Sequence, residues 1–257
     1  MQWERELALA RQIAVRAGEV ALEYLRNGVA AEDKADESPV TAADRACETL
    51  IVGAIQDAFP EDGILGEEGA SKHPANGRLW IIDPIDGTRD YVRRNRLWAN
   101  LIALESNGEP VVGVARFPAL NETYYATKGG GAFRDGEPIA ASPITEISRA
   151  VACVNGMQNS LKNPHHEKLL PFMGKFWAIR SLGGALDAMF VCAGHADFWI
   201  EPSAKPWDLA VLKLIAEEAG CVFFDYEGKN TIYGGNAIIC TKALEAEARE
   251  FLGLPLR

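Results

Sequence analysis

The chain has 257 residues, 48% of them hydrophobic and 24% charged, with 36 acidic against 26 basic side chains and a formal net charge of −10. This composition excludes a disordered chain, and the length suffices for a large core, as one unit or as two packed halves. The acidic balance argues against nucleic acid or an anionic membrane as a partner, since both favour a basic face.

In chain order, apolar residues from Leu7 to Leu25 recur at helical spacing and predict a helix over 3–26, stopped by Asn27-Gly28. A polar loop, AAEDKADES, follows, and then Thr41 with Asp44 three residues on reads as a capping box opening a second helix that Pro60 ends. DGILGEEG and RLWIID read as strands with acidic ends. LWANLIALE, VVGVARF and TYYATK read as strands separated by turns, the last turn being the glycine-rich GGGAFRDGEP. Beyond about residue 145 strands and helices alternate: AVACVN, FWAIRS, ADFWIE, CVFFDYEG and NAIICT as strands, with PHHEKLLPFM, GGALDAMFVCAGH, PWDLAVLKLIAEEAG and KALEAEAREFLG as helices. An α/β (α+β) chain results, with halves 1–145 and 146–257 forming one unit.

The five cysteines, Cys47, Cys153, Cys192, Cys221 and Cys240, contain no CxxC pair, so free buried thiols in a reducing cytoplasm are expected. The first residues are charged and amphipathic, unlike a signal peptide, and no apolar run reaches the roughly 20 residues of a membrane span. The expectation is a soluble, cytoplasmic protein.

The segment WIIDPIDGT places Asp83 and Asp86 at the end of an apolar run, with proline and glycine forcing a turn. Two carboxylates on one turn, joined by a carbonyl such as that of Ile85, form a hard oxygen set suited to Mg²⁺. Gly87-Thr88 would open the next helix, where amides can hold phosphate. Read alone, the segment is equally a capped turn. Glu67-Glu68 also ends a strand, and Asp208 in KPWDLA stands near the start of an apolar helix, where a capping role is the plain alternative.

PVTAAD, GILGEEG, WIIDPIDGT, RSLGGALDAM and ADFWIEPSAKPWDLA, in this order and spanning nearly the whole chain, resemble the inositol monophosphatase family. The resemblance implies a five-layer α-β-α-β-α sandwich of the inositol monophosphatase/fructose-bisphosphatase type, a homodimer, and Mg²⁺-dependent, Li⁺-inhibited hydrolysis of a small phosphate monoester. It implies metal ligands at Glu67, Asp83, the Ile85 carbonyl, Asp86 and Asp208. Two ions are expected, with a weaker third near Glu67 in several members. Thr88 backed by Asp44 would activate water, and Gly87 and Thr88 would cradle phosphate. Ala185 and Glu201 correspond to positions facing the substrate's alcohol, beside Asp86 and Asp208. Glu68 falls outside the ligand set.

On these grounds inositol 1-phosphate stands slightly ahead of histidinol phosphate, with fructose 1,6-bisphosphate and nucleotide 3′-phosphates behind, and a metal-binding scaffold without catalysis as the rival class. His165, His166 and His195 share no spacing with acidic partners and read as solvent-facing or helix-end residues. Gly129-Gly130-Gly131 reads as a hairpin turn rather than a phosphate loop. Trp98, Trp177, Trp199 and Trp207 read as core or interface. Arg93, Arg94 and Arg96 are a solvated loop or a substrate-attracting cluster, and Lys34 a candidate lid residue.

Overall fold

The computed structural model describes residues 2–28, 31–33 and 39–256; Lys34 lies outside the described residues. The chain opens with α1 (Glu4–Asn27), which Gly28 ends at a φ of 90°. Strands β1 (Ala31–Asp33) and β2 (Pro39–Thr41) pair antiparallel, so the expected polar loop carries a short ribbon. The alternation signal is missing there because neither strand exceeds three residues. Thr41 caps α2 (Ala42–Ala58), its hydroxyl accepting from the Ala43 amide at 3.1 Å while Asp44 reaches back to the Thr41 amide at 2.9 Å, as the capping box predicts.

Next come β3 (Gly63–Gly66), β4 (Ser71–Lys72), β5 (Arg78–Asp86), α3 (Thr88–Val92), β6 (Ala99–Ser106), β7 (Glu109–Phe117), β8 (Glu122–Thr127), β9 (Gly131–Arg134) and β10 (Glu137–Ile139). Among the described residues these strands form an eight-stranded sheet in the order β10-β9-β8-β7-β6-β5-β3-β4, in which β3 runs parallel to β5. Two strands, β9 and β10, lie within the stretch read as one glycine-rich turn; only the turn that begins at Gly129 is as expected. RLWIID does not end at Asp83 either. β5 passes through Pro84 to Asp86 with a register shift, which accommodates a residue lacking an N–H.

The remainder comprises β11 (Val151–Val154), α4 (Met157–Ser160), α5 (His166–Met173), β12 (Ala178–Arg180), α6 (Gly184–Cys192), β13 (Phe198–Glu201), α7 (Pro206–Glu218), β14 (Cys221–Phe224), β15 (Ala237–Thr241) and α8 (Glu245–Leu252). Its strands form a mixed five-stranded sheet, β12-β11-β13-β15-β14. The single turn α4 is too short to show helical periodicity.

Apolar residues divide among three clusters. One lies between α1/α2 and the eight-stranded sheet and includes Ile13, Ile51, Trp80 and Ile102. A second, with Leu101, Met189, Leu212 and Ile239, fills the space between the sheets around α6 and α7. The third joins the outer face of the five-stranded sheet to α5 and α8. The layers are therefore α-β-α-β-α. Trp98 and Trp199 are core and Trp207 packs against the inter-sheet cluster, but Trp177 is 75% exposed. All five cysteines are free and buried. Among the described residues no helix is long and apolar enough to cross a membrane.

Close to the lower edge of the first cluster, buried Asp62 accepts from the Trp80 indole at 2.9 Å and from Arg78 Nε at 3.1 Å. Asp62→Ala strands a buried indole donor and leaves Arg78 with Glu6 alone, at 2.9 Å, as its ion-pair partner, so urea unfolding should show a loss of about 1–3 kcal/mol with turnover per folded molecule unchanged.

Candidate metal and phosphate site

Three segments deliver carboxylates to one place. Parallel pairing of β3 with β5 sets Gly66 beside Ile82, and the Glu67 amide continues the ladder to the Ile82 carbonyl at 3.1 Å. Glu67 thus leaves its strand next to Asp83. Buried Glu48 on α2 holds the turn that follows, accepting from the Glu68 amide at 2.9 Å and the Ala70 amide at 3.0 Å. Gly66 is required for that approach: a Cβ there would stand 2.2 Å from Glu48 Oε2. Nothing in the motif pointed to Glu48, which looks like any helical glutamate.

Asp83 and Asp86 come from β5, and Asp208 from the first turn of α7, where it also accepts from the Lys205 amide at 2.6 Å. Carboxylate oxygens of Asp83, Asp86 and Asp208 lie within 4.8 Å of one another. Glu67 stands outside that triad but bonds to Asp83 and lines the same cavity of about 520 Å³. Glycines again permit contact: a Cβ on Gly184 would fall 2.7 Å from Asp86 Oδ2, which accepts from the Ala185 amide at 3.1 Å. Ala185 itself, 1% exposed, turns its side chain into the inter-sheet core; the residues beside it, Gly183 and Gly184, line the cavity instead.

Thr88 begins α3 behind a left-handed Gly87, and its hydroxyl lies 3.2 Å from the Ile85 carbonyl and 3.4 Å from Asp44 Oδ1. Asp44 is wholly buried and reaches the cavity through Thr88. Burial raises its pKa despite the hydrogen bonds from Thr41. Opposite stands Glu201 at the end of β13, 5% exposed, accepting from the Ser203 amide at 3.1 Å and from the side chain of Asn155. Asn155, the last residue of the AVACVN strand segment, and Gln158 and Asn159 beyond it complete that wall. Arg89 lines the cavity; Arg93, Arg94 and Arg96 do not, and Arg96 donates to the Ala119 carbonyl at 2.9 Å. The three histidines named above lie away from the cavity as well.

Electrostatically the cluster is frustrated as protein alone. Burial, then the charges of Glu67, Asp86 and Asp208, push Asp83 well above the usual carboxylate range. Burial and the Asp86 charge raise Asp208 to about 8. Burial raises Asp86 to about 6 although the Ala185 amide pulls it down. Asp83 Oδ1 is buried with no hydrogen-bond partner. An unpaired oxygen among mutually repelling carboxylates fits a divalent cation.

A cavity floored by such a set, in a sandwich of this topology, defines a metal-dependent phosphatase site. The profile of the inositol monophosphatase family matches residues 2–252, and the chain belongs to that family. It is 39% identical over 236 residues to a histidinol-phosphatase of Chlorobaculum parvum, covering 91% of each chain. It is 30% identical to an inositol-1-monophosphatase of Bacillus subtilis, covering 88% of each. The solved IMPase of Thermotoga maritima superposes with a TM-score of 0.87 at 31% identity, covering 97% of both chains.

The frustration has a measurable sign. Asp86 and Asp208 have folded-state values of about 6 and about 8 against an ordinary 3.8, so the metal-free fold prefers their protonated forms. Their stabilising contribution is full below the ordinary value and is lost as pH rises through the folded values. Melting in EDTA should therefore weaken between pH 5 and pH 8.5, and added Mg²⁺ should raise the melting temperature more at pH 8 than at pH 5. Equal Mg²⁺ shifts at both values would contradict this account.

Proposed function

We propose that the chain is a Mg²⁺-dependent phosphomonoesterase whose substrate couples phosphate to a small cationic alcohol, with histidinol phosphate the best fit. One observation carries the choice: beyond the carboxylates a metal cluster would occupy, Asp90 and Glu201 also line the cavity, whereas Arg89 is the single basic side chain among the described lining residues. Surplus negative charge favours an ammonium-bearing alcohol over a neutral one. The name of the Chlorobaculum relative points the same way. Inositol 1-phosphate, ranked first from sequence, is the second reading, supported by the neutral wall of Asn155, Gln158 and Asn159 and by the Bacillus relative.

In this reading Glu67, Asp83, the Ile85 carbonyl, Asp86 and Asp208 hold two Mg²⁺ ions, with a weaker third near Glu67. When bound, the ions acidify a water and neutralise charge on the phosphoryl and leaving oxygens. The Thr88 hydroxyl donates to Asp44 and so turns a lone pair toward the attacking water. Asp44, its pKa raised by burial, receives the proton that Thr88 passes on. The backbone of Gly87 and Thr88 cradles the phosphate. Glu201, held by Asn155 and the Ser203 amide, faces the alcohol. Residues 1–145 and 146–257 act as one catalytic unit, because Asp208 and Glu201 come from the second half.

Phosphate release from histidinol phosphate, inositol 1-phosphate, fructose 1,6-bisphosphate and adenosine 3′,5′-bisphosphate, with Mg²⁺ or with EDTA, tests the reading. Histidinol phosphate should have the largest kcat/KM, activity should vanish in EDTA, and Li⁺ should inhibit. Metal binding without turnover of any ester would instead support a non-catalytic scaffold. Asp83→Asn should abolish activity in folded protein, and Thr88→Ala should lower kcat by about 10²–10⁴ with Mg²⁺ affinity retained.

The same proposal includes a cytoplasmic homodimer. Free buried thiols suit a reducing compartment. Leu170, Trp177 and Ile179, 81%, 75% and 38% exposed around edge strand β12, suit coverage by a second copy. Sedimentation should give a dimer that Trp177→Asp converts to monomer; a monomeric wild type removes this element.

A further inference from the structure

Asp83 and Asp86 leave a strand that ought to separate them. Successive side chains of a regular strand face opposite sides, so an odd spacing places two residues on opposite faces. The two cores record where alternation breaks. Ile81 belongs to the inter-sheet core, while Trp80 and Ile82 belong to the α1/α2 side. Unbroken alternation would set Ile85 with Ile81, yet it lies on the α1/α2 side. The register explains this: Asp83 pairs with Leu101 and Asp86 with Ala99, leaving Pro84 and Ile85 opposite Asn100 alone. Two residues against one is a β-bulge, and it returns Asp86 to the face of Asp83.

Asn100 is built into that bulge. It is 0% exposed, and its Nδ2 donates to the Pro84 carbonyl. Its neighbours Ala99 and Leu101 point into the inter-sheet core, so Asn100 points the other way, beneath α1. There its Oδ1 has no hydrogen-bond partner, and a Cβ on Gly18 of α1 would come within 3.3 Å of it. A half-satisfied amide under a helix is a poor core residue by itself. Its donor meets the carbonyl of the one bulge residue that has no N–H of its own. On the other side of the bulge the Ile85 carbonyl accepts from the Thr88 hydroxyl at 3.2 Å and keeps a second lone pair.

We infer that Asn100 is a positioning residue for the metal-binding turn: held against Pro84 from the opposite face of the sheet, it fixes the bulge that makes Asp83 and Asp86 converge. The inference rests on the reading of that cluster as a divalent-cation site. Asn100 touches neither cation nor substrate, so its effect passes through backbone geometry.

Calorimetric titration of Mg²⁺ and of Mn²⁺ into metal-free wild type, Asn100→Leu, Asn100→Ala and Ile102→Val tests it, with melting curves of each in EDTA. Ile102, two residues from Asn100, is wholly buried on the same face and does not line the cavity, so Ile102→Val serves as the stability control. Both Asn100 variants should bind Mg²⁺ at least about ten-fold more weakly, as expected for loss of a group that orients ligands. The Mg²⁺ concentration giving half-maximal activity should rise in parallel. Ile102→Val should melt earlier and bind as wild type. If Asn100→Leu does not fold, Asn100→Ala carries the comparison. Lowered melting temperatures with wild-type dissociation constants would reduce Asn100 to a structural role and overturn the inference. A wild type that binds neither cation would overturn the metal reading and this inference with it; metal binding intact in wild type and both Asn100 variants would overturn the inference alone.

Discussion

Repulsion among desolvated carboxylates is the constraint around which the protein is arranged. At the separations found here, two like charges oppose each other by about 4 kcal/mol even at an effective dielectric near 20. Asp83, 2% exposed and short of a hydrogen-bond partner on one oxygen, cannot relieve this by turning to solvent. The rest of the fold must hold the carboxylates together while bound protons or a cation offset that force. It does so from several directions, with apolar clusters on both faces of β5, the Ala185 amide on Asp86 and the Lys205 amide on Asp208.

The layered architecture follows from the same need. No single strand or helix can surround a cation, so the ligand set is drawn from the edge where the eight-stranded sheet meets the helices between the sheets. β3 and β5 lie side by side and parallel, so their carboxyl ends emerge together. α7 packs in the layer between the sheets and begins at the same level with Asp208. Approaches this close leave no room for side chains, which is why Gly66 faces Glu48 and Gly184 faces Asp86.

How far the sequence discloses this depends on the range of each interaction. Asp44, Asp83, Asp86 and Asp208 each stand beside a local signal, a capping box, a proline-glycine turn and a helix start. Those signals alone fit caps and turns equally, and the family resemblance is what joins them with Glu67 into one set. Short strands such as β1 and β10 were not legible, since three residues cannot display an alternation. Glu48, Asn100 and Asn155 were missed for a different reason. Their partners lie 20, 16 and 46 residues away, and only the folded register makes those pairs neighbours. Ala185 was placed at the substrate by resemblance; the turn of α6 gives the cavity its preceding glycines and an amide instead.

The same difference in range separates reaction from selectivity. The floor of the cavity is written in compact motifs, and its geometry is held by strands and helices with cores on both sides. The opposite wall comes from residues 155–159, where Gly156 at a φ of 56° starts the one-turn α4 and Met157 is 54% exposed. A Cβ on Gly156 would approach Pro202 and Glu201 at 3.2 and 3.3 Å, so the segment rests directly on the Glu201 carboxylate. A change in this short turn alters what Glu201 and its neighbours present to the cavity, while Asp83, Asp86 and Asp208 are held by other elements. Relatives with names of both kinds, histidinol-phosphatase and inositol-1-monophosphatase, match this chain over most of its length, and in this chain the acidic cluster and the 155–159 wall of the cavity come from separate elements.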